Sequence, residues 1–389
     1  VAVPDGDSEA RVPAVGMVGA GQLALMTAEA GAELGVRVAV LAARADDSAT
    51  AVAARVVIGE PDDPAGLAEL ARHVDVVTFD HELVEPALLQ ALQADGFVVR
   101  PGPDVIAVVI DKREQRQALA RIGAPQPEHH VVPDAQAVIA FAQTHGWPVI
   151  MKAARGGYDG RGVWVCGPDD VDALFDEAQT RGLTLIVERH VRLDAEIAVV
   201  VARRPGGERV TYPVVQTVQH DGMLRELRYP APVAPELAAQ ARALAARIAD
   251  ELGVVGLLAV EMFVEDGQLL VNELAARPHN SGHASIEGCV TSQFANHLRA
   301  VLDWPLGSTE PLAPAFALVN VVGPDDGSDP ATRRKAATEG SPVHVHLYGK
   351  AAKPGRKLGH VTALGDDVDD ALARARRAAA ILHGEQELA

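Results

Sequence analysis

The sequence is poor in cysteine: Cys166 and Cys289 are the only two in 389 residues, with no spacing that suits a metal site and no framework for disulfides. Each is expected to be a small buried residue in a reducing compartment. Aromatic residues are also scarce, 4% against 48% hydrophobic overall, so the core must be built from Ala, Val and Leu, the material of helices packed on buried strands. No apolar run approaches the roughly 18 residues that cross a bilayer. Residues 1–11 are polar and acidic where a signal peptide would be basic and then apolar, so a cytoplasmic chain with a frayed beginning is expected. Net positive charge is missing as well. The formal charge of -18 repels nucleic acid and anionic membranes, which recruit proteins through Lys and Arg, and an anionic substrate must be met by a local basic cluster.

The length exceeds the roughly 250–300 residues at which a single core stops growing, so two or three α/β domains sharing a cleft are expected. Apolar 13–18, glycines at Gly19 and Gly21, an Ala-rich stretch to 34 and apolar 36–41 predict strand, turn, helix and strand. Alternation continues through 74–79 and 97–99. Residues 1–104 therefore read as a doubly wound, Rossmann-like domain ending at Pro101-Gly102-Pro103. A single helix over 105–122, carrying Lys112, leads into a small lid domain over 105–190. There, 147–152 and 162–166 are the arms of a hairpin, followed by a helix at 171–180 and a strand at 183–188. Residues 191–389 predict a larger mixed sheet with a long helix at 236–252, a hairpin over 257–274 and a closing helix at 368–383.

Gly19-Ala20-Gly21-Gln22-Leu23-Ala24 follows a strand as a dinucleotide-binding turn does, yet the second strand closes on Leu41-Ala42-Ala43-Arg44, without an acid to hold a ribose. A structural turn and a contact to some other substrate both remain open. Gly156-Gly157-Tyr158-Asp159-Gly160-Arg161-Gly162 is less ordinary, because four glycines in seven positions sacrifice chain entropy unless the backbone must approach something closely. Phosphate is a natural ligand for such a loop. No Gly-Lys-Ser or Gly-Lys-Thr closes it, so it is not a P-loop; Lys152 just upstream, with Lys112, would supply the positive charge. A flexible surface hairpin is the plain alternative.

Glu261 and Glu273 lie on two apolar strands joined at Asp266-Gly267. A three-residue loop would set them opposite each other, where Mg²⁺ could bridge them and Asn272 would add an oxygen; a two-residue loop would send them to opposite faces. Arg277-Pro278-His279-Asn280-Ser281-Gly282-His283 comes next, able either to aim donors at an anion or to cap a helix through Ser281. The local basic cluster falls at 346–360, where Lys350, Lys353, Arg356, Lys357 and His360 surround Pro354-Gly355; a solvated basic turn is its alternative. His129-His130 has no partner spacing and reads as surface.

Taken in order, the glycine loop after Lys152, the acids Glu261 and Glu273, the Arg277-Pro-His-Asn-Ser-Gly-His segment and Lys353-Pro-Gly-Arg-Lys-Leu-Gly-His resemble the N5-carboxyaminoimidazole ribonucleotide synthase family of ATP-grasp enzymes, over about residues 15–361. The resemblance implies the ATP-grasp fold, ATP and Mg²⁺ as cofactors, and 5-aminoimidazole ribonucleotide and bicarbonate as substrates of a carbon-nitrogen ligase in purine biosynthesis. ATP would phosphorylate bicarbonate, and the exocyclic amine would take the carboxyl group from carboxyphosphate. By the same resemblance Lys112, Lys152, Gly156, Gly157, Gly160 and Gly162 hold the triphosphate. Glu188, Arg189, His190 and Val191 form the adenine hinge, Glu196 meets the ribose with Gln219 and Asn272 alongside, and Glu261 and Glu273 bind magnesium. Tyr158, Asp159, Arg161, Arg277, His279 and Asn280 would act on bicarbonate and the aminoimidazole. Lys350, Arg356 and Lys357 would clamp the ribonucleotide phosphate, with Gln22 and Glu82 closing the pocket. A homodimer is implied too.

Three places depart from the family pattern. Ala24 and Leu25 stand where relatives have Gly and Arg, Asp80-His81-Glu82-Leu83 replaces Glu-aromatic-Glu-Asn, and Gln219 replaces a histidine. These bear on the first domain and on the surroundings of Gln219, not on the ATP chemistry. The nearest rival is the formate-using ligase of glycinamide ribonucleotide, against which the basic motif argues. A non-catalytic nucleotide-binding regulator is disfavoured by the intact acids, and a dehydrogenase by the missing ribose acid.

Overall fold

Strand Ala14–Val18 (β1) is buried at all five positions, as a central parallel strand covered on both faces must be. It lies between Arg37–Ala42 (β2) and Val76–Phe79 (β4), with Arg55–Ile58 (β3) outside β2, all parallel. The strand expected at 97–99 is reduced to a single bridge from Val99 to Val77. These elements belong to the first of two compact units, the boundary in the chain falling after Arg100. The computed structural model describes residues 12–157 and 160–385, so the expectation for the first eleven residues lies outside the described residues.

The glycine turn after β1 is filled by the protein itself. Gly21 N donates to Asp80 Oδ2 at 2.5 Å, and a Cβ on Gly19 or Gly21 would run into the Asp80 carboxylate. Gly19 also needs its φ of 101°. The N-terminus of helix Gln22–Leu34 thus faces a carboxylate where a dinucleotide fold would present phosphate. Of the readings left open for this turn, the structural one accounts for its glycines.

In the second unit, the helix expected over 105–122 is two helices, Pro103–Val109 and Lys112–Ile122. Asp111 leaves helical geometry (φ -126°, ψ 113°) and caps the second helix by accepting from Arg113 N at 2.9 Å. That break puts Lys112 in a first turn, one turn before Gln115 and Arg116 on the buried face.

A small antiparallel sheet follows, of His129–Val132 (β5), Val149–Ala153 (β6), Val163–Cys166 (β7) and Leu185–Arg189 (β8), in the order β5-β8-β6-β7. Val132, Val149, Met151, Cys166, Leu185 and Val187 form its core beneath helices Ala135–His145 and Val171–Thr180. Strand alternation leaves Lys152 and Glu188 on the other face.

The large sheet holds Ala195–Arg203 (β9), Arg209–Thr211 (β10), Val215–His220 (β11), Met223–Tyr229 (β12), Gly256–Glu265 (β13), Gln268–Ala275 (β14), Ala315–Val322 (β15), Val343–Leu347 (β16) and Lys357–Gly365 (β17). Its order is β14-β13-β9-β11-β12-β15-β17-β16, with β10 on β9. Where a mixed sheet was expected, every one of these pairs is antiparallel. The alanines of helix Val368–His383 pack on Ala317, Val319, Val361 and Ala363 of β15 and β17. Cys166 and Cys289 are both buried and unbridged. Among the described residues, no helix is long and apolar enough to cross a membrane.

Asp80→Ala, which orphans the Gly21 amide, is expected to cost about 1–3 kcal/mol in a denaturant transition, and Asp80→Asn less because an acceptor oxygen remains. Equal stability of all three proteins would contradict this reading of the turn.

Candidate active site

The hairpin of β13 and β14 turns through only two residues, Asp266 and Gly267, at φ 50° and 72°. That loop length was expected to send Glu261 and Glu273 to opposite faces. It does not, because the pairing slips by one residue: Met262 pairs with Val271, but Glu261 pairs with Glu273, leaving Asn272 as the extra residue of a β-bulge. The acids therefore face each other.

The bulge is held from outside the sheet. Arg116 donates to the carbonyls of Val271 (3.0 Å) and Asn272 (2.8 Å), Gln115 bonds both the N–H and the carbonyl of Leu274, and Val271 N donates to Pro125 O. These contacts occupy the edge of β14, whose polar groups would otherwise lack partners.

Arg116 also meets Glu188, at 2.7 Å, and Glu188 meets Lys152, at 2.8 Å, all three side chains under a tenth exposed. Lys152 Nζ donates as well to Asn272 Oδ1 at 3.0 Å. The amide oxygen expected beside the metal acids is thus an anchor for Lys152. Burial works against an ionised Glu188, but Lys152 and Arg116 outweigh it and hold the carboxyl down at about 2. Burial, joined by the like charges of Arg116 and Lys112, pushes the Lys152 ammonium below the usual lysine range against the pull of Glu188.

Lys112 Nζ lies 3.1 Å from Glu273. Burial opposes ionisation of Glu273, yet Lys112 and Lys152 hold its carboxyl below the usual range. Glu261 goes the other way: burial first, then the charges of Glu273 and Glu196, push it up to about 7. Glu196 shares this face of the sheet, since Glu196 pairs with Phe263 and Glu261 with Ala198. Its carboxyl is raised by burial and accepts a hydrogen bond from Gln219. Three neighbouring strands, β9, β13 and β14, thus present Glu196, Glu261 and Glu273. Among the described residues no group of three or more His, Cys, Asp or Glu is arranged to hold a metal ion unaided. A carboxylate pair, one member of which resists ionisation, fits Mg²⁺, which takes one or two carboxylates and completes its shell from phosphates and water.

Beside the acids, His279 accepts at Nδ1 from Ser281 N (3.3 Å) and contacts Ser281 Oγ (2.9 Å), which leaves the ring proton on Nε2, 3.8 Å from Glu261. Ser281 therefore orients His279 and does not cap the next helix. Both side-chain amide atoms of Asn280 are buried without a partner. Arg277 Nη1 donates to Pro278 O, and Lys357 is close enough for its charge to lower the Glu261 carboxyl. The turn carrying Lys350, Lys353, Arg356 and Lys357 joins β16 to β17 and is pinned on Gly323, whose N–H donates to Arg356 O and whose carbonyl accepts from Gly355 N. His360, expected in that basic cluster, is not part of it: it is fully buried on β17, and burial, then His283 and His346, keep it neutral.

The glycine loop joins β6 to β7 as a hairpin, with Gly156, Gly160 and Gly162 at φ 75–77°. Gly160 packs so closely on Gly222, in the β11–β12 turn, that a Cβ on either would collide with the other. Arg161 is exposed on this loop; Tyr158 and Asp159 lie outside the described residues. At the hinge, the Arg189 side chain pairs with Glu128 and Glu265, His190 is exposed and Val191 buried, so the side chains of Glu188 and Arg189 are both engaged by protein. Gln22 opens its helix and Glu82 follows β4, both in the first unit. The sequence reading overlooked Arg116 and Gln115. The four-residue step from Lys112 to Arg116, on a helix whose buried face continues at Leu119, was the available signal.

Family models match along the chain: a ribonucleotide synthetase preATP-grasp domain over residues 12–110, an ATP-grasp domain over 117–294 and a phosphoribosylaminoimidazole carboxylase C-terminal domain over 317–374. Over 374 residues the chain is 47% identical to the N5-carboxyaminoimidazole ribonucleotide synthase of Mycobacterium tuberculosis, covering 94% of this chain and 87% of that one. It is 42% identical over 392 residues to the protein of the same name from Corynebacterium ammoniagenes, covering 97% and 95%. A solved structure of N5-carboxyaminoimidazole synthase from Aspergillus clavatus, in complex with ADP and 5-aminoimidazole ribonucleotide, matches with a TM-score of 0.86 at 30% identity over 95% of this chain and 98% of that chain.

The buried ion pair carries a pH signature. Because the Glu188 carboxyl is lowered from 4.5 to about 2 in the folded protein, its contribution is complete above pH 4.5 and is lost as the pH falls towards 2. Glu188→Gln is expected to cost about 3–5 kcal/mol at pH 7, leaving Lys152 and Arg116 uncompensated, with the gap to wild type narrowing below pH 4.5 in denaturant titrations. A gap independent of pH would contradict the assignment.

Proposed function

The chain belongs to the N5-carboxyaminoimidazole ribonucleotide synthases, ATP-grasp ligases of purine biosynthesis that carboxylate 5-aminoimidazole ribonucleotide at the expense of ATP, and from that premise we propose how its own residues divide the work. The observation that carries the reading is the opposed pair Glu261 and Glu273 with Lys112 and Lys152 beside it. Lys112 and Lys152 meet the triphosphate beneath the glycine loop, and Glu196 with Gln219 meets the ribose. Because protein engages the Glu188 and Arg189 side chains, the backbone of 188–191 meets the adenine. Glu261 and Glu273 would hold magnesium, which supplies charge screening between the phosphates.

One bicarbonate oxygen attacks the γ-phosphorus and ADP leaves, giving carboxyphosphate. The exocyclic amine then attacks the carboxyphosphate carbon, inorganic phosphate leaves and the amine gives up a proton. Both steps shift negative charge between oxygens, so fixed cations and donors in a site closed to water are the main lever. Arg277, His279 Nε2–H and the unpartnered amide of Asn280 supply donors beside the acids. An amide buried with both atoms unsatisfied costs about 1–3 kcal/mol, a cost that substrate contacts would remove. Arg161 comes from the glycine loop; Tyr158 and Asp159, assigned to the same step by the resemblance, lie outside the described residues. Lys350, Arg356 and Lys357 take the ribonucleotide phosphate, the local positive charge that a chain of net charge -18 requires. A cytoplasmic homodimer completes the proposal.

ADP release is expected to require Mg²⁺ and to rise with 5-aminoimidazole ribonucleotide plus bicarbonate; a rise with glycinamide ribonucleotide plus formate instead would contradict the reading. Glu273→Gln is expected to lower kcat by roughly 100-fold or more with an unchanged circular dichroism spectrum, and an undiminished rate would remove Glu273 from the site.

A further inference from the structure

Behind the basic turn lies a group of aromatic and imidazole side chains to which the reading above gives no task. His360 on β17 and His346 opposite it on β16 stack at 4.6 Å and 18°. The His283 ring also lies against His360, at 5.2 Å and tilted by 37°. The group is bolted at two ends. His346 Nε2 meets Glu287 Oε1 at 2.6 Å, and Gln293 holds His283 to the segment carrying His279. The Gln293 amide is oriented by its contacts: Oε1 accepts from His279 N, so Nε2 donates to His279 O at 2.7 Å and to His283 Nδ1 at 3.0 Å.

A third branch runs to the substrate turn. The Tyr348 hydroxyl, on a ring only 1% exposed, meets His360 Nδ1 at 2.7 Å, and Lys350 Nζ sits 5.7 Å from the centre of that ring, within cation–π range. A buried phenol needs a hydrogen-bond partner, and a neutral imidazole, set in orientation by the rings packed around it, provides one without adding a charge.

We propose that His360 is a positioning residue for the nucleotide substrate: by fixing the Tyr348 hydroxyl it sets the platform under Lys350, and by stacking on His346 and packing against His283 it ties that platform to the segment of His279. The inference rests on the assignment of Lys350 to the ribonucleotide phosphate. His360 touches no substrate in this scheme; it governs where the clamp stands and therefore how well the substrate binds. A group that serves only the fold would affect both substrates alike, or stability alone.

Steady-state kinetics on the full-length enzyme separate the cases. Tyr348→Phe deletes one oxygen and is expected to raise KM for 5-aminoimidazole ribonucleotide about fivefold, the value of one hydrogen bond of about 1 kcal/mol, with kcat and KM for ATP within about twofold. His360→Phe is expected to raise it further, at least about tenfold. His360→Asn, whose amide can reach the hydroxyl from the Nδ1 position, is expected to recover part of the loss. If His360→Phe does not fold, Tyr348→Phe decides alone. Unchanged KM for the ribonucleotide in the folded variants, or equal rises for both substrates, overturns the inference. A wild-type enzyme indifferent to the ribonucleotide overturns instead the functional reading beneath it, and this inference with it.

Discussion

The site depends on one slipped register. A two-residue turn and unbroken pairing would put Glu261 and Glu273 on opposite faces of the sheet; the bulge at Asn272 brings them together. Burial disfavours ionisation and two carboxylates directly across a ladder repel as well, and together these push the Glu261 carboxyl up to about 7. Such an arrangement survives only where something else over-determines it. Here Arg116 and Gln115 grip the backbone of the bulge, while Lys112 and Lys152 offset the charge. The paired acids are thus poised to take up cations, which suits the magnesium-holding role proposed for them.

The same contacts preorganise the lysine. Lys152 is out of water before any substrate arrives, held between Glu188 and Asn272, and Glu188 is itself anchored by Arg116. A buried ion pair is weak evidence for stability, since desolvation cancels much of the attraction. The ion pair instead fixes orientation: a desolvated ammonium with set partners need not reorganise in the phosphate-binding role proposed for Lys152. One guanidinium serves both the bulge and this ion pair, so the acids and the lysine are set by a common part.

Much of this was legible in the sequence. The closing helix Val368–His383, the hairpin around the glycine loop and the Ala-rich helix Pro235–Glu251 follow from apolar periodicity bounded by Gly and Pro. The glycine loop, the acids, the arginine segment and the basic turn, taken in order, carried the family resemblance, and the resemblance implied the chemistry. The parts that could not be read locally are those decided by distant partners. Nothing near Asn272 announces a bulge, because the group that stabilises it, Arg116, is 156 residues away. Asp111 breaks a run of helix formers through a side-chain bond that competes with the helix. His360 looks cationic among lysines, but three residues along the strand from Lys357 the surroundings are fully buried, and its partners Tyr348 and His346 lie across the ladder.

Binding of Mn²⁺, followed by electron paramagnetic resonance in the presence of a non-hydrolysable ATP analogue, tests the opposed carboxylates most directly. The account expects uptake by the wild-type protein that depends on the analogue and weakens by at least about tenfold in both Glu261→Gln and Glu273→Gln. Undiminished uptake in either variant would contradict it.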